Sequence, residues 1–151
     1  MIKYVILLSA VLITFCSAAG TAQEGFGIGI IIGEPTGISF KNWLSPTRAV
    51  DGAAAWSFGG EDALHLHADY LFHNSNLARV ESGKLLLYYG LGARLKLQDQ
   101  SRFGVRIPFG VAYLLEASPL DFFLEIVPIM DLAPDTELEF NGGFGARLYF
   151  K

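Results

Sequence analysis

His65, His67 and Asp69 stand two residues apart in the run Leu64-His65-Leu66-His67-Ala68-Asp69-Tyr70, with His73 beyond. If that run is a strand, residues i and i+2 point the same way. Two imidazoles and a carboxylate then gather on one face, a donor set that could hold zinc. A closed site needs further ligands, and the chain has His 3 and Cys 1 with no second metal-binding cluster. The row is therefore expected to be an interior polar row paired with arginines such as Arg94 or Arg106, without metal or cofactor. Its histidines could still titrate near neutral pH and loosen that interior when charged. Glu137 with Glu139, and Asp51 with Asp69, are the carboxylate pairs that could share acid–base work. No Gly-x-Ser-x-Gly elbow accompanies them, and Gly25, Gly27, Gly29 and Gly33 lack dinucleotide spacing with a following helix. An internal ion network is the expected role of these carboxylates. No catalytic, cofactor-binding or metal residue is assigned, and the chain is not expected to be an enzyme.

The elements that position these groups are short runs of alternating character from about residue 26 onward. Turn-like clusters divide the chain into segments 26–33, 38–44, 50–58, 64–73, 85–97, 103–115, 122–130 and 138–150. None carries a helical stripe, and no linker separates two domains. One set of alternate positions is apolar, running from Phe26, Ile28, Ile30 and Ile32 through Leu85, Leu87, Tyr89 and Leu91 to Phe140, Phe144, Leu148 and Phe150. The opposite set is small or charged: Gly27, Gly29, Lys41, Asp51, Asp69, Arg94, Lys96, Arg102, Arg106, Glu125, Glu137, Glu139, Gly145 and Arg147 among them.

Glycine on the water-facing side of a soluble barrel would weaken its strands, whereas glycine and alanine fit the inside of a narrow barrel. Charges of both signs can pair there, and pairing matters because an unpaired buried ion costs several kcal/mol. The expected fold is all-β: a single up-and-down antiparallel β-barrel of about eight strands, transmembrane, apolar side outward, filled rather than open. Aromatics near strand ends, Phe26, Trp56, Phe58, Tyr70, Phe72, Tyr113 and Phe122, are expected to form interfacial girdles. Pro108 and Pro128 fall inside strands of a barrel without edges and are expected to mark bulges. The alternative is a soluble, lipocalin-like exported barrel with the faces exchanged, holding an apolar small molecule.

The N-terminal residues 1–22 read as a signal peptide. Lys3 gives a positive start, an apolar stretch follows that is too short to span a membrane, and Gly20 and Ala22 form a small-residue cleavage pair. Cys16 lies inside it behind bulky Phe15, so lipidation is not expected, and the barrel domain, 23–151, should fold without disulfides. Hydrophobic residues make up 52% and charged ones 17% of the chain, against about 25% charged in ordinary soluble domains. That excess apolar surface has to face something. The net charge of -4 and the lack of a basic run argue against nucleic acid.

The closing run, Phe144-Gly145-Ala146-Arg147-Leu148-Tyr149-Phe150, resembles the C-terminal strand of outer-membrane barrels, apolar at alternate positions and ending on an aromatic. The opening, Gly27-Ile28-Gly29 through Gly37-Ile38-Ser39-Phe40, resembles the first hairpins of small OmpA- and OmpX-like barrels. The resemblance implies a cell outer-membrane address in a Gram-negative envelope and a structural or surface-interaction role. It also implies contact with outer-membrane lipid, recognition of the last strand by the assembly machinery, and room for an external protein ligand. With the termini on the periplasmic side, the longest connection, 74–83, would face inward.

Overall fold

The computed structural model describes residues 23–57, 62–75 and 80–150. The expected leader, with Cys16, and Phe58 lie outside the described residues. Nine strands follow one another: β1 Phe26–Glu34, β2 Thr36–Ser45, β3 Arg48–Ser57, β4 Ala63–Asn74, β5 Lys84–Leu97, β6 Arg102–Arg106, β7 Phe109–Leu114, β8 Leu120–Ala133 and β9 Glu137–Phe150. Each pairs antiparallel with its neighbours, and β9 returns to pair with β1, closing the sheet on itself. No edge strand remains along most of its height, which is what an alternating chain without covering helices requires.

The expected eight staves are present, because β6 and β7 are two parts of one. Gly92 faces Arg106 and Tyr89 faces Phe109 in the same β5 register, and Arg106 to Ile129 and Phe109 to Ile126 keep one register with β8. The break between them is Ile107-Pro108. Contrary to expectation, neither Pro108 nor Pro128 makes a bulge. Pro108 still accepts a bond from the Gly90 N–H, and Pro128 from the Ile107 N–H, each at 3.0 Å. Each proline forgoes only the donor it lacks, so the ladder loses one bond and the register holds. The shifts in register lie elsewhere, between Trp43 and Ser45 and between Phe103 and Gly104.

Following cross-strand partners around the wall from Phe150 leads through Phe26, Asn42, Val50, Tyr70 and Leu91. The path then crosses Ile107 and Pro128 and ends at Phe140, ten residues from its start on the same strand. For eight strands at ordinary spacing, that stagger tilts them by roughly 40° from the barrel axis. One end carries Gln23 and Phe150, the 46–47 turn, the start and finish of the connection from β4 to β5, and the 115–119 connection. Gly83, with φ 76°, ends the longest of these in a conformation that disfavours other residues.

Parity decides the two faces. Outward side chains include Ile30, Leu91, Phe109, Leu124, Ile126, Leu138, Phe140 and Phe144, all more than half exposed. Tyr70 and Phe72, near the end of β4, face outward: Tyr70 meets Phe72 edge-on at 5.2 Å between ring centres, and Phe72 stacks on Tyr89 at 5.6 Å. Inward, Lys41, Asp69, Arg94, Arg106, Asp121, Asp131 and Arg147 are buried to 2% exposure or less.

Candidate functional site

The buried ionisable side chains of the described residues converge in the interior, which has two unlike halves. Towards the end away from the termini, β5 supplies Arg94 and Lys96, β6 Arg102, β8 Asp131, and β9 Glu137 and Glu139. Arg94 Nη2 donates to Asp131 Oδ1 at 2.7 Å and lies 2.6 Å from Glu139 Oε2. Lys96 reaches Glu139 at 3.4 Å, and Arg102 reaches Glu137 at 2.6 Å. Bases from β5 and β6 thus meet acids from β8 and β9 along the inner wall, Arg94 reaching Asp131 over Gly104, which faces both. Deeper in, Arg106 Nε lies 2.8 Å from Asp69 Oδ1 and its Nη2 is 3.6 Å from Glu125, which accepts a bond from Tyr88 Oη at 2.9 Å.

Towards the terminal end, Arg147 on β9 joins Asp121 at 3.2 Å and Asp51 at 3.6 Å, with its guanidinium 3.9 Å from the Phe123 ring centre. Lys41 Nζ lies 2.8 Å from His73 Nε2 and 4.3 Å from the centre of the Trp43 ring. Trp43, Leu71, Leu86, Tyr88, Leu114, Phe123 and Tyr149 pack around these groups as a buried cluster. The interior is therefore charged in one half and largely apolar in the other, where the sequence suggested a polar filling throughout.

The histidine row does face inward, as its spacing predicts, but it does not assemble a metal centre. His67 Nε2 is 3.9 Å from Asp69 Oδ2, Asp69 is taken by Arg106, and His73 belongs to the Lys41 cluster at the other end. Among the described residues, no group of three or more His, Cys, Asp or Glu side chains could hold a metal ion. Purified protein is expected to carry no stoichiometric zinc, checked by elemental analysis; one zinc per chain, lost in His67→Ala, would overturn that. The carboxylate pairs separate likewise. Asp51 and Asp69 stand opposite each other across β3 and β4, yet one turns to Arg147 and the other to Arg106. Glu137 and Glu139 bind different bases.

Asp121, Asp131, Trp43 and Phe123 were not singled out in the sequence, although parity alone places them inside: Asp121 and Phe123 alternate with Glu125. A small internal cavity of about 10 Å³, lined by Ile31, Ala55, His67, Arg106, Glu125 and Asn141 among others, has room for about one water. An exported barrel holding an apolar ligand needs greasy side chains inside and ions in water. Here the arginines are buried, the wall exposes large apolar side chains, and the apolar half of the lumen is filled by its own side chains.

No family model matches the chain, and no curated protein matches it. Among solved structures it is similar to the crystal structure of the N-terminal β-barrel domain of Pseudomonas aeruginosa OprF, with a TM-score of 0.59 and 12% identity over 83% of this chain and 95% of that one. The shared feature is the fold. It is a β-barrel fold, and the likeness goes no finer than that.

Proposed function

We propose that the chain is a non-enzymatic outer-membrane β-barrel protein that serves envelope structure or surface contact. The observation that carries this reading is the wall itself: large apolar side chains stand exposed on every stave while four cations and their carboxylates are buried within. Water would penalise that exterior, and lipid would not. The OprF likeness supports a barrel of this kind. On this reading residues 1–22 are a cleaved signal peptide, the termini face the periplasm, outer-membrane lipid surrounds the wall, and the assembly machinery reads the strand ending at Phe150. The lumen is filled, so a steady open pore is no part of the role.

Fractionation of cells into inner and outer membranes tests the reading, with the protein expected in the outer fraction and its gel migration expected to change on heating. A mature protein that stayed soluble without detergent would sink it. A sharper test uses Ile126, 64% exposed at mid-strand. Ile126→Arg should cost about 2–3 kcal/mol when unfolding is followed in lipid vesicles. A wall bathed in water would show almost no effect.

A further inference from the structure

The barrel is not closed over its whole height. β9 pairs with β8 from Leu148 as far as Glu137, but its pairing with β1 stops where Gly142 faces Glu34. The chain then turns at Pro35 into β2, whose first partner on β3 is Trp56. At the end away from the termini, a notch about two strand-widths across, roughly 10 Å, is left beside residues 137–141. Backbone bonds alternate in side along a strand. The Tyr149 N–H bonds to Pro119 O, on the β8 side, so odd-numbered residues of β9 turn towards β8 and even-numbered ones towards β1. Leu138 and Phe140 therefore aim two N–H donors and two C=O acceptors into the notch, where among the described residues no strand meets them.

The inward-facing Glu137 and Glu139 are the charges that guard this edge. It holds no proline, lysine or bulge, and Leu138 and Phe140 are 58% and 66% exposed. Its surroundings are acidic: Glu34, Asp62, Asp99 and Asp135 are exposed on the same rim. The nearby bases Lys96 and Arg102 are held by Glu139 and Glu137.

We infer that the notch side of β9 is a docking edge for an extended segment of a partner protein in which basic and apolar side chains alternate. The partner's backbone completes the ladder at Leu138 and Phe140, its apolar side chains lie beside theirs, and its bases face the acidic rim. A second copy of this chain does not fit. Two barrels side by side in one membrane share the same upward strand direction, and edges each tilted by roughly 40° would cross rather than align. This inference deepens the surface-contact role proposed above and names its partner class, but it depends on the barrel's geometry and not on where the barrel resides.

The test uses the folded full-length chain in detergent micelles and the peptide acetyl-Lys-Val-Lys-Val-Lys-Val-Lys-amide, with amide hydrogen exchange read by NMR. Saturating peptide should slow exchange at Leu138 and Phe140 about tenfold or more, while amides paired at the closed seam stay protected throughout. The same peptide with its internal amides N-methylated should give no protection, and Asp135→Asn should weaken binding about threefold. Exchange at Leu138 and Phe140 that is unchanged by the peptide, or already slow without it, would overturn the inference. Equal protection by the N-methylated peptide would do so too, by reducing the contact to charge alone. If the seam amides were unprotected, the barrel itself would be in question rather than its edge.

Discussion

Arg147→Leu is expected to lower the stability of the folded barrel by about 3–5 kcal/mol, the largest loss from any single charge deletion in the terminal half. Arg147 is 1% exposed and lies between Asp121 and Asp51, themselves 0% and 7% exposed. Leucine fills some of the space but leaves both carboxylates in a water-poor interior without their cation, and that orphaning sets the size of the effect. Tyr149 Oη would still donate to Asp121 at 2.7 Å, but one neutral hydrogen bond does not replace an ion pair. The tryptophans give a direct readout of urea unfolding in micelles, since Trp43 is buried in the lumen and Trp56 exposed on the wall.

The same logic predicts a rescue. The triple variant Arg147→Leu, Asp121→Asn, Asp51→Asn should recover most of the loss, because a buried ion cluster replaced as a whole costs far less than one broken in half. Arg147→Lys should fall between, keeping the charge but losing the planar stack on Phe123. A single leucine variant within about 0.5 kcal/mol of the parent would mean that water reaches the cluster and that the interior is not packed as described.

Much of the wall was legible because a period of two leaves no freedom once one face is known. Arg94, Arg106 and Arg147 were placed inside and Ile126 and Phe144 outside from parity alone. Partner choice was legible only in part: Arg106 does pair with Asp69, as expected, but the partners of Arg94 lie on other strands. Arg94 sits directly opposite His67 on the adjacent strand, yet it binds Asp131 and Glu139 on the other side, reaching over Gly104, whose missing side chain leaves the way open. The apolar half was missed because attention to charge along each strand passed over the large residues between, such as Phe123 between Asp121 and Glu125. The prolines misled for a different reason. A bulge is one way to absorb a missing donor, but simple omission also works where the carbonyl stays bonded, as at Pro108.

Closure at the β1–β9 seam leads to the second large effect, and glycine controls it through space rather than conformation. A Cβ built on Gly29 would collide with the Ala146 carbonyl oxygen and lie 2.6 Å from the Arg147 Cα, both backbone atoms of β9. Backbone cannot rotate aside as a side chain can, so Gly29→Ala must push the two strands apart at the point where the ring shuts. The expected cost is at least about 3 kcal/mol, at or beyond the upper end of ordinary overpacking, and in vesicles much of the protein should fail to show the folded, heat-sensitive gel band. Gly142 on the same seam is the control. Its added Cβ would meet only the Glu125 carbonyl oxygen, at 3.5 Å, an ordinary contact. Gly142→Ala should therefore stay within about 0.5 kcal/mol of the parent. Similar losses in both variants would point to a general need for backbone freedom along β9, and no loss in either would mean that β1 and β9 are not packed this closely.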